Sequence, residues 1–306
     1  MLFLDSMPAV PNPSALDDAS RSVLAGPPEI PAKPRMSRTQ RLLFFATGWL
    51  IVLMPFLFWW NTWFGRHLSD RQLIEYLHDT KKPRHIQQAL VQVGERITAH
   101  DAAVTKWYTE LVTLSANPVE EIRNTDAWVM GQDTSQPAFH EALSKMLNDA
   151  SPMVRGNAAL SLVRFGDPTG RSQIVALLQP AHIPAPEAGR IVDADRPGTA
   201  IRQSGLIAKL AVTNTAPPRT VEIRSPIAGR IRSVAGTGAN VAAGSEVAVI
   251  DPATEQVWEA LRALYLIGQT DDLAAIRPYE RELPDISNDV RQQALETEKA
   301  IQSRAK

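Results

Sequence analysis

The residues that could support catalysis or bind a metal are few and scattered along this chain. There is no cysteine, which excludes thiolate catalysis, disulfide frameworks, zinc ribbons and iron–sulfur ligation together. His78 and His85 flank a predicted turn with Asp79 beside them, but the sequence offers no further ligand at a workable spacing. We interpret these histidines as solvated surface residues.

The paired acids and the glycine-rich turn also have structural interpretations. Glu120-Glu121 and Asp271-Asp272 fall in predicted first helical turns, where carboxylates interact favourably with the helix dipole. Gly236-Thr-Gly238 lacks the lysine and the following helix of a phosphate-binding loop. We therefore predict no catalytic residue, no metal site and no small-molecule substrate, and we expect that the protein is not an enzyme.

Charge and length narrow the class of protein further. The 32 basic and 33 acidic residues give a formal net charge of −1, so no strong field attracts nucleic acid. The 306 residues suffice for about one to three domains with their own cores.

One segment has the composition of a membrane span. The 23 residues from Leu42 to Phe64 carry no charge and, as a helix, extend about 34 Å. A hydrocarbon core is about 30 Å thick, so we predict a single transmembrane helix over residues 42–64. Trp59, Trp60 and Trp63 cluster at its end, as expected at a membrane interface.

The region before the span is predicted to be a disordered arm. Residues 1–41 contain seven prolines and little apolar periodicity. Translation from Met36, directly before the span, is an alternative start. Basic residues are nearly balanced across the span. We favour a cytoplasmic arm, a bacterial inner membrane and periplasmic C-terminal domains; the opposite orientation is the alternative.

Helical patterns follow the span. Ser69 with Gln72, and Asn117 with Glu120, match the capping box that begins a helix. Pro118 and Pro152 are predicted in first turns, where proline costs no hydrogen bond. Apolar stripes such as Ile86, Leu90, Val93 and Ile97 then predict short helices in antiparallel pairs.

The helical pairs resemble a known repeat family. The stretch SPMVRGNAALSLVRFGDP, from Ser151 to Pro168, resembles the second helix of a HEAT repeat of the short bacterial type. Ala158, Leu162 and Gly166 recur as Ala260, Leu264 and Gly268, each series ending in a predicted C-cap glycine. The resemblance implies an α-helical solenoid over residues 69–179 and 253–306. A generic helical bundle is the alternative.

A segment of the remaining sequence is present twice at a fixed offset. The stretch from Ile183 to Leu210 aligns without gaps on the stretch from Ile223 to Ile250. Pro186, Ala188 and Gly189 are among the positions that are identical in the second copy. Glycines fall where turns are needed between short β-branched runs, which predicts one supersecondary unit used twice.

The duplicated segment resembles the barrel-sandwich hybrid of biotinyl- and lipoyl-type domains, in the form found in membrane fusion proteins, the periplasmic adaptors of efflux and secretion systems. The resemblance implies a small all-β domain over residues 180–252, inserted into the solenoid. Carrier domains hold biotin or lipoate on a lysine between their halves, a place that falls near Asn214 here. No lysine lies between Lys209 and Lys299, so we predict an unmodified domain without a cofactor.

Two groups of residues are candidates for partner binding. Trp258 and Tyr265 flank the insertion, where they either pack the β domain against the helices or present an aromatic patch to a partner. An arginine recurs at the same helical position in three places, Arg123, Arg155 and Arg291. We predict that these side chains either form an exposed ladder along one groove or make hydrogen bonds between repeats. Trp107, Tyr108 and Trp128 lie on helical stripes and are predicted to be core residues.

The sequence thus predicts a multi-domain α plus β protein with a single membrane span. We expect a non-catalytic scaffold or accessory subunit of an integral membrane protein complex, whose identity the sequence does not give. A periplasmic adaptor of an efflux or secretion system is the alternative.

Overall fold

The structure, a computed structural model, describes residues 37–63, 67–212, 219–282 and 286–306, without the side chains of residues 58–63. The chain divides into two units after Arg66. In the first, helix α1 (Arg38–Trp63) begins four residues earlier than the predicted span, within the segment expected to be disordered. The part from Arg38 to Leu57 has a mean hydropathy of 1.6, and none of it is buried. It is long and apolar enough to cross a membrane.

The second unit, His67–Lys306, holds ten further α-helices in its described residues. They are α2 (Asp70–Leu77), α3 (Pro83–Thr98), α4 (Tyr108–Leu114), α5 (Glu120–Met130), α6 (Pro137–Met146), α7 (Pro152–Arg164), α8 (Arg171–Ala176), α9 (Thr254–Ile267), α10 (Leu273–Ile276) and α11 (Asn288–Arg304). Short 3₁₀ helices span Ala102–Trp107, Thr270–Asp272 and Arg277–Glu280.

The helices pack in two rows. Helices α3, α5, α7, α9 and α11 form one row in which each packs against the next. Helices α2, α4, α6, α8 and α10 each pack against the following member of that row. Each pair buries its apolar face against its neighbours, and the buried residues form two clusters. Trp107, Phe139 and Leu162 are fully buried in the first cluster, and Leu147 packs against both.

The predicted helix ends are partly confirmed. Ser69 and Gln72 form the capping box of α2, and Pro152 occupies the first turn of α7. The second predicted box is wrong, since α5 begins at Glu120 after an uncapped Val119. Asn117 instead accepts a hydrogen bond from the Val119 amide at 2.9 Å, so Pro118 lies before the helix. In this local turn the Asn117 side chain satisfies the Val119 amide, which lies outside the helix.

The two predicted C-cap glycines also differ from each other. Gly166 has a φ of +77°, the left-handed conformation that ends a helix without a Cβ clash. Gly268 is extended, with φ −62° and ψ 152°. Arg304 donates a hydrogen bond to the Gly268 carbonyl at 3.0 Å and another to the Tyr265 carbonyl. A side chain from α11 therefore satisfies the end of α9 where the prediction relied on glycine.

Eight described strands lie between α8 and α9, two helices that pack against each other. They are β1 (Ala181–Pro184), β2 (Gly189–Ala194), β3 (Ala200–Ile201), β4 (Leu206–Val212), β5 (Arg219–Arg224), β6 (Gly229–Val234), β7 (Asn240–Val241) and β8 (Glu246–Pro252). They form two four-stranded antiparallel sheets, ordered β1-β8-β6-β3 and β5-β4-β2-β7. We call residues 181–252 the β module.

The sequence duplication reappears in the strand pairing of the β module. Each strand of one sheet has its counterpart from the other sequence copy at the same place in the other sheet: β1, β8, β6 and β3 correspond in order to β5, β4, β2 and β7. The register follows too: Ile191 pairs with Leu210 in the sheet β5-β4-β2-β7, and their counterparts Ile231 and Ile250 pair in the sheet β1-β8-β6-β3. Each sheet contains strands from both halves, so neither half can form its sheet alone.

The turns of the two halves match in backbone conformation. Gly198 and its counterpart in the second copy, Gly238, have φ angles of +87° and +93°. Gly244 has a φ of +79°, and its counterpart Ser204 adopts +60° despite having a side chain. The fold imposes this conformation on Ser204, because only glycine adopts it without steric cost.

Candidate partner-binding surfaces

A groove of about 480 Å³ crosses the long row of helices from α5 to α11. Its wall on one side comes from Trp128 on α5 and from Asn157 and Arg164 on α7. Helix α9 supplies the floor, and Gln293 and Glu296 of α11 complete the far wall. We call this surface the groove. Its volume lies in the range of ordinary ligand-binding clefts.

The groove exposes large apolar side chains. Trp128 is 42% exposed, Tyr265 is 43% exposed and Leu266 is 61% exposed. The prediction that Trp128 is a core residue is therefore wrong. A Cβ at Gly94 of α3 would lie 3.0 Å from the Trp128 ring, so the missing side chain leaves room for the indole against α3, and Trp128 also lines the groove.

The polar groups of the groove are arranged around this apolar patch. Arg164 donates a hydrogen bond to the Gln132 side chain at 2.8 Å. Arg262 lies over the Trp258 ring, 4.6 Å from its centroid, a cation–π contact. Glu296 accepts a hydrogen bond from the Gln292 amide at 3.1 Å. The groove is thus mixed in charge and includes the aromatic side chains of Trp128 and Tyr265.

Trp258 and Tyr265 both belong to the helices rather than to the junction with the β module. Trp258 packs against the core cluster around α9, and Tyr265 lines the groove. Neither is among the hydrophobic residues packed against the β-module core. The structure thus shows neither residue packed against the described β-module core, and the partner-binding role of the pair stays a prediction.

The three predicted arginines have different environments. Arg123 makes two hydrogen bonds to the Asp149 carboxylate, at 2.7 and 2.8 Å. Arg155 donates to the Asp149 carbonyl at 2.8 Å and to Gln173 at 3.0 Å. The Arg123 hydrogen bond holds the pKa of Asp149 below its usual value. Both arginines therefore connect successive helical pairs, whereas within the described residues Arg291 forms an ion pair with Glu282 at 3.7 Å.

The junction between the helices and the β module centres on Glu120. One Glu120 oxygen accepts hydrogen bonds from the Ser151 hydroxyl and from the Gln203 amide, both at 2.6 Å. Met153 of α7 also packs against the β-module core. These contacts join the start of two helices to the turn between β3 and β4. The sequence assigned Glu120 to a helix cap, and this role was missed because it depends on a residue 83 positions away.

The predicted histidine and lysine positions contribute no further site. His85 pairs with Asp79 at 2.9 Å and stacks on Tyr76, and His78 hydrogen-bonds to the Ile74 carbonyl. Among the described residues, no three His, Cys, Asp or Glu side chains are grouped so as to hold a metal ion. Position 214 and the side chains of Trp59, Trp60 and Trp63 lie outside the described residues.

One buried acid was not singled out by sequence reasoning. Asp126 of α5 is fully buried, and neither of its carboxylate oxygens has a hydrogen-bond partner among the residues that the structure describes. Burial raises its pKa well above the usual value. Its position four residues after Ile122 and three before Val129, both buried, is the periodic signal that could have identified it.

The comparisons with known proteins leave the family open. No protein-family model matches the chain, and no curated protein matches it. A solved single-chain, multi-domain long-chain acyl-CoA carboxylase aligns at 19% identity and a TM-score of 0.22, over 34% of this chain. This chain spans only 10% of the length of that carboxylase. Two engineered proteins align at 16% identity with TM-scores of 0.37 and 0.36, over 76% and 75% of this chain and 78% and 47% of theirs.

Proposed function

We propose that the protein is a membrane-anchored, non-catalytic scaffold or accessory subunit of a membrane protein complex. The observation that carries this proposal is the groove, where the exposed side chains of Trp128, Tyr265 and Leu266 line one concave surface. Exposed apolar patches with a polar rim are typical of protein–protein interfaces. Helix α1 supplies a means of holding such a surface beside an integral membrane partner, which raises the local concentration for docking.

Within this proposal, the helical rows are a HEAT-type solenoid and the β module is an unmodified barrel-sandwich hybrid. The alternating helix contacts support the first assignment. The exchange of strands between two related sheets, with equivalent pairs such as Ile191–Leu210 and Ile231–Ile250, supports the second. Both shapes serve as rigid supports for other proteins, and neither requires a reaction.

The central experiment is site-specific photo-crosslinking in intact membranes. A photoreactive phenylalanine analogue at Leu266 should give a discrete crosslinked product with an integral membrane protein, identified by mass spectrometry. The same analogue at Ile74 is the matched control, because Ile74 is 47% exposed on α2 and does not line the groove. Equal products at both positions, or none at Leu266, would contradict a partner at the groove.

The proposed topology places the arm in the bacterial cytoplasm and the second unit in the periplasm. Since the chain has no cysteine, single cysteines can be introduced without a background. In intact spheroplasts a membrane-impermeant maleimide should label Ser303→Cys and leave Ser37→Cys unlabelled. Both positions are exposed, so the reverse pattern would place the second unit in the cytoplasm.

The alternative function is a periplasmic adaptor of an efflux or secretion system. The two-fold strand arrangement of the β module, together with an apolar N-terminal helix, favours it. Only residues 213–218 separate β4 from β5, too few for the helical hairpin that adaptors place between their halves. Crosslinked products that include both an inner-membrane transporter and an outer-membrane channel would favour the adaptor. An intact mass larger by a biotinyl or lipoyl group would contradict the unmodified module.

A further inference from the structure

The groove contains charged groups that the described part of the chain leaves without an opposite charge. Arg164 bonds only to the neutral amide of Gln132, and no described carboxylate forms an ion pair with it. Glu296 likewise accepts a hydrogen bond only from the amide of Gln292. Both side chains are exposed, so each is available to a partner.

These two charges lie on opposite walls of the groove. Arg164 belongs to α7 and Glu296 to α11, and α9 lies between these helices. The α9 charges are internally paired, since Arg262 has Glu259 at 3.5 Å and stacks on Trp258. The patch formed by Trp128, Tyr265 and Leu266 belongs to the same groove. The groove therefore presents a positive charge on α7, a negative charge on α11, and apolar side chains that include Tyr265 and Leu266 of the intervening α9.

We propose that the groove binds a protein segment in which a bulky apolar residue is flanked by an acidic residue facing Arg164 and a basic residue facing Glu296. This inference rests on the proposed function and specifies the chemistry of its partner. The complementary charges fix the direction in which the segment lies across the helices. The apolar residue supplies the affinity by covering Trp128 and Leu266, as buried anchors do in protein interfaces. An anionic lipid surface matches this site poorly, because Glu296 would repel it.

The test uses the full chain in neutral phosphatidylcholine nanodiscs and a library of displayed random peptides. Enriched peptides should share the acidic, apolar, basic pattern. For one such synthetic peptide, Arg164→Glu should weaken binding about five- to tenfold, because an ion pair becomes a repulsion. Replacing the peptide's acidic residue by lysine should restore binding to that variant. Arg262→Glu is the matched control on the same groove, and it should change binding less than Arg164→Glu does.

Several results would overturn the inference. Failure to enrich any peptide would do so, as would enriched peptides that bind wild type and Arg164→Glu equally while circular dichroism shows both folded. A chain that self-associates, with association abolished by Arg164→Glu, would assign the groove to a second copy instead. The proposed function is judged separately: crosslinking from Leu266 to a membrane protein that persists in Arg164→Glu would refute the charge pattern and leave the scaffold role standing.

Discussion

The two repetitive regions of this protein differ in how strictly they repeat. In the β module every pair of strands recurs with its register unchanged in the second copy, as in Gly189–Val212 and Gly229–Pro252. In the helical rows equivalent contacts vary: Ser161 reaches the Ala127 carbonyl over 34 residues, and Thr297 reaches the Leu261 carbonyl over 36. A strand shifted by one residue reverses all its side chains, whereas a helix needs only to pack on its neighbour.

This difference has a consequence for binding. The β module buries its repeated apolar positions between two sheets, with Ile191 and Ile250 fully enclosed. The row formed by α3, α5, α7, α9 and α11 leaves a face open, and the groove lies across that face. The β module, which repeats strictly, therefore encloses its apolar residues, whereas the helical row, which repeats loosely, keeps an accessible surface.

The largest expected effect is steric and lies in the β module. A Cβ at Gly229 would lie 1.8 Å from the Asp251 carbonyl oxygen, which is backbone and cannot move without breaking the sheet. Gly229→Ala should cost about 3 kcal/mol or more of unfolding free energy. Urea unfolding measured by circular dichroism checks this.

Two further glycine substitutions show whether the helical rows tolerate an added methyl group better than the sheets do. Gly236→Ala should be nearly neutral, because nothing lies within 4 Å of the added methyl group. In Gly156→Ala of α7 the nearest atoms to the added methyl group belong to the Leu177 side chain rather than to backbone, so a side-chain shift can accommodate it. It should cost about 1 kcal/mol or less, since alanine also favours the helix. A Gly156→Ala variant as unstable as Gly229→Ala would show that the helical rows are as strict as the sheets.

The next effect concerns the buried acid of the helical rows. Because burial raises the Asp126 pKa, the folded state favours the neutral carboxyl. The contribution of this protonation to the free energy of unfolding is complete below the pKa that Asp126 has in the unfolded chain. It is lost as the pH rises through the pKa that Asp126 has in the folded state. Asp126→Leu should therefore add about 1–3 kcal/mol at pH 8 and less at acidic pH. Thermal melts across pH check this, and an equal effect at both pH values would contradict the ionisation argument.

A smaller effect is expected where the two regions meet. Glu120→Ala removes the acceptor shared by Ser151 and Gln203, at a cost of about 1–2 kcal/mol. Hydrogen exchange should increase at the Ser204 turn and at the start of α7, while the centre of each sheet stays protected. Glu120→Gln keeps an acceptor and should lose less protection. Unchanged exchange in Glu120→Ala would show that Met153 packing alone holds the junction.

The smallest effect tests the match between the two halves of the β module. Ser204 adopts a φ of +60° where its counterpart Gly244 adopts +79°. Ser204→Gly should stabilise the module by about 0.5–1 kcal/mol, and Gly244→Ser should destabilise it by a similar amount. Opposite signs in parallel denaturation experiments are the expected result, and equal signs would contradict equivalent turns.

The sequence by itself determined features whose physical cause is local. The apolar run around α1, the capping box of Ser69 and Gln72, the positive-φ glycine at Gly166 and the fixed offset of the duplication were all readable, because each depends on neighbouring residues or on direct self-similarity. The same local reasoning failed at Asn117, where a side-chain turn and a helix cap use similar residues.

Tertiary structure decided the features that join distant residues. The pairing of β1 with β8, the hydrogen bond from Gln203 to Glu120 and the exposure of Trp128 across Gly94 each depend on a partner far along the chain. Periodicity places Trp128 on a helical stripe but cannot say whether a neighbour will cover it. Tertiary packing therefore determined which apolar residues are buried in the core and which line the groove, because the burial of a side chain depends on all the elements around it and not on its own segment alone.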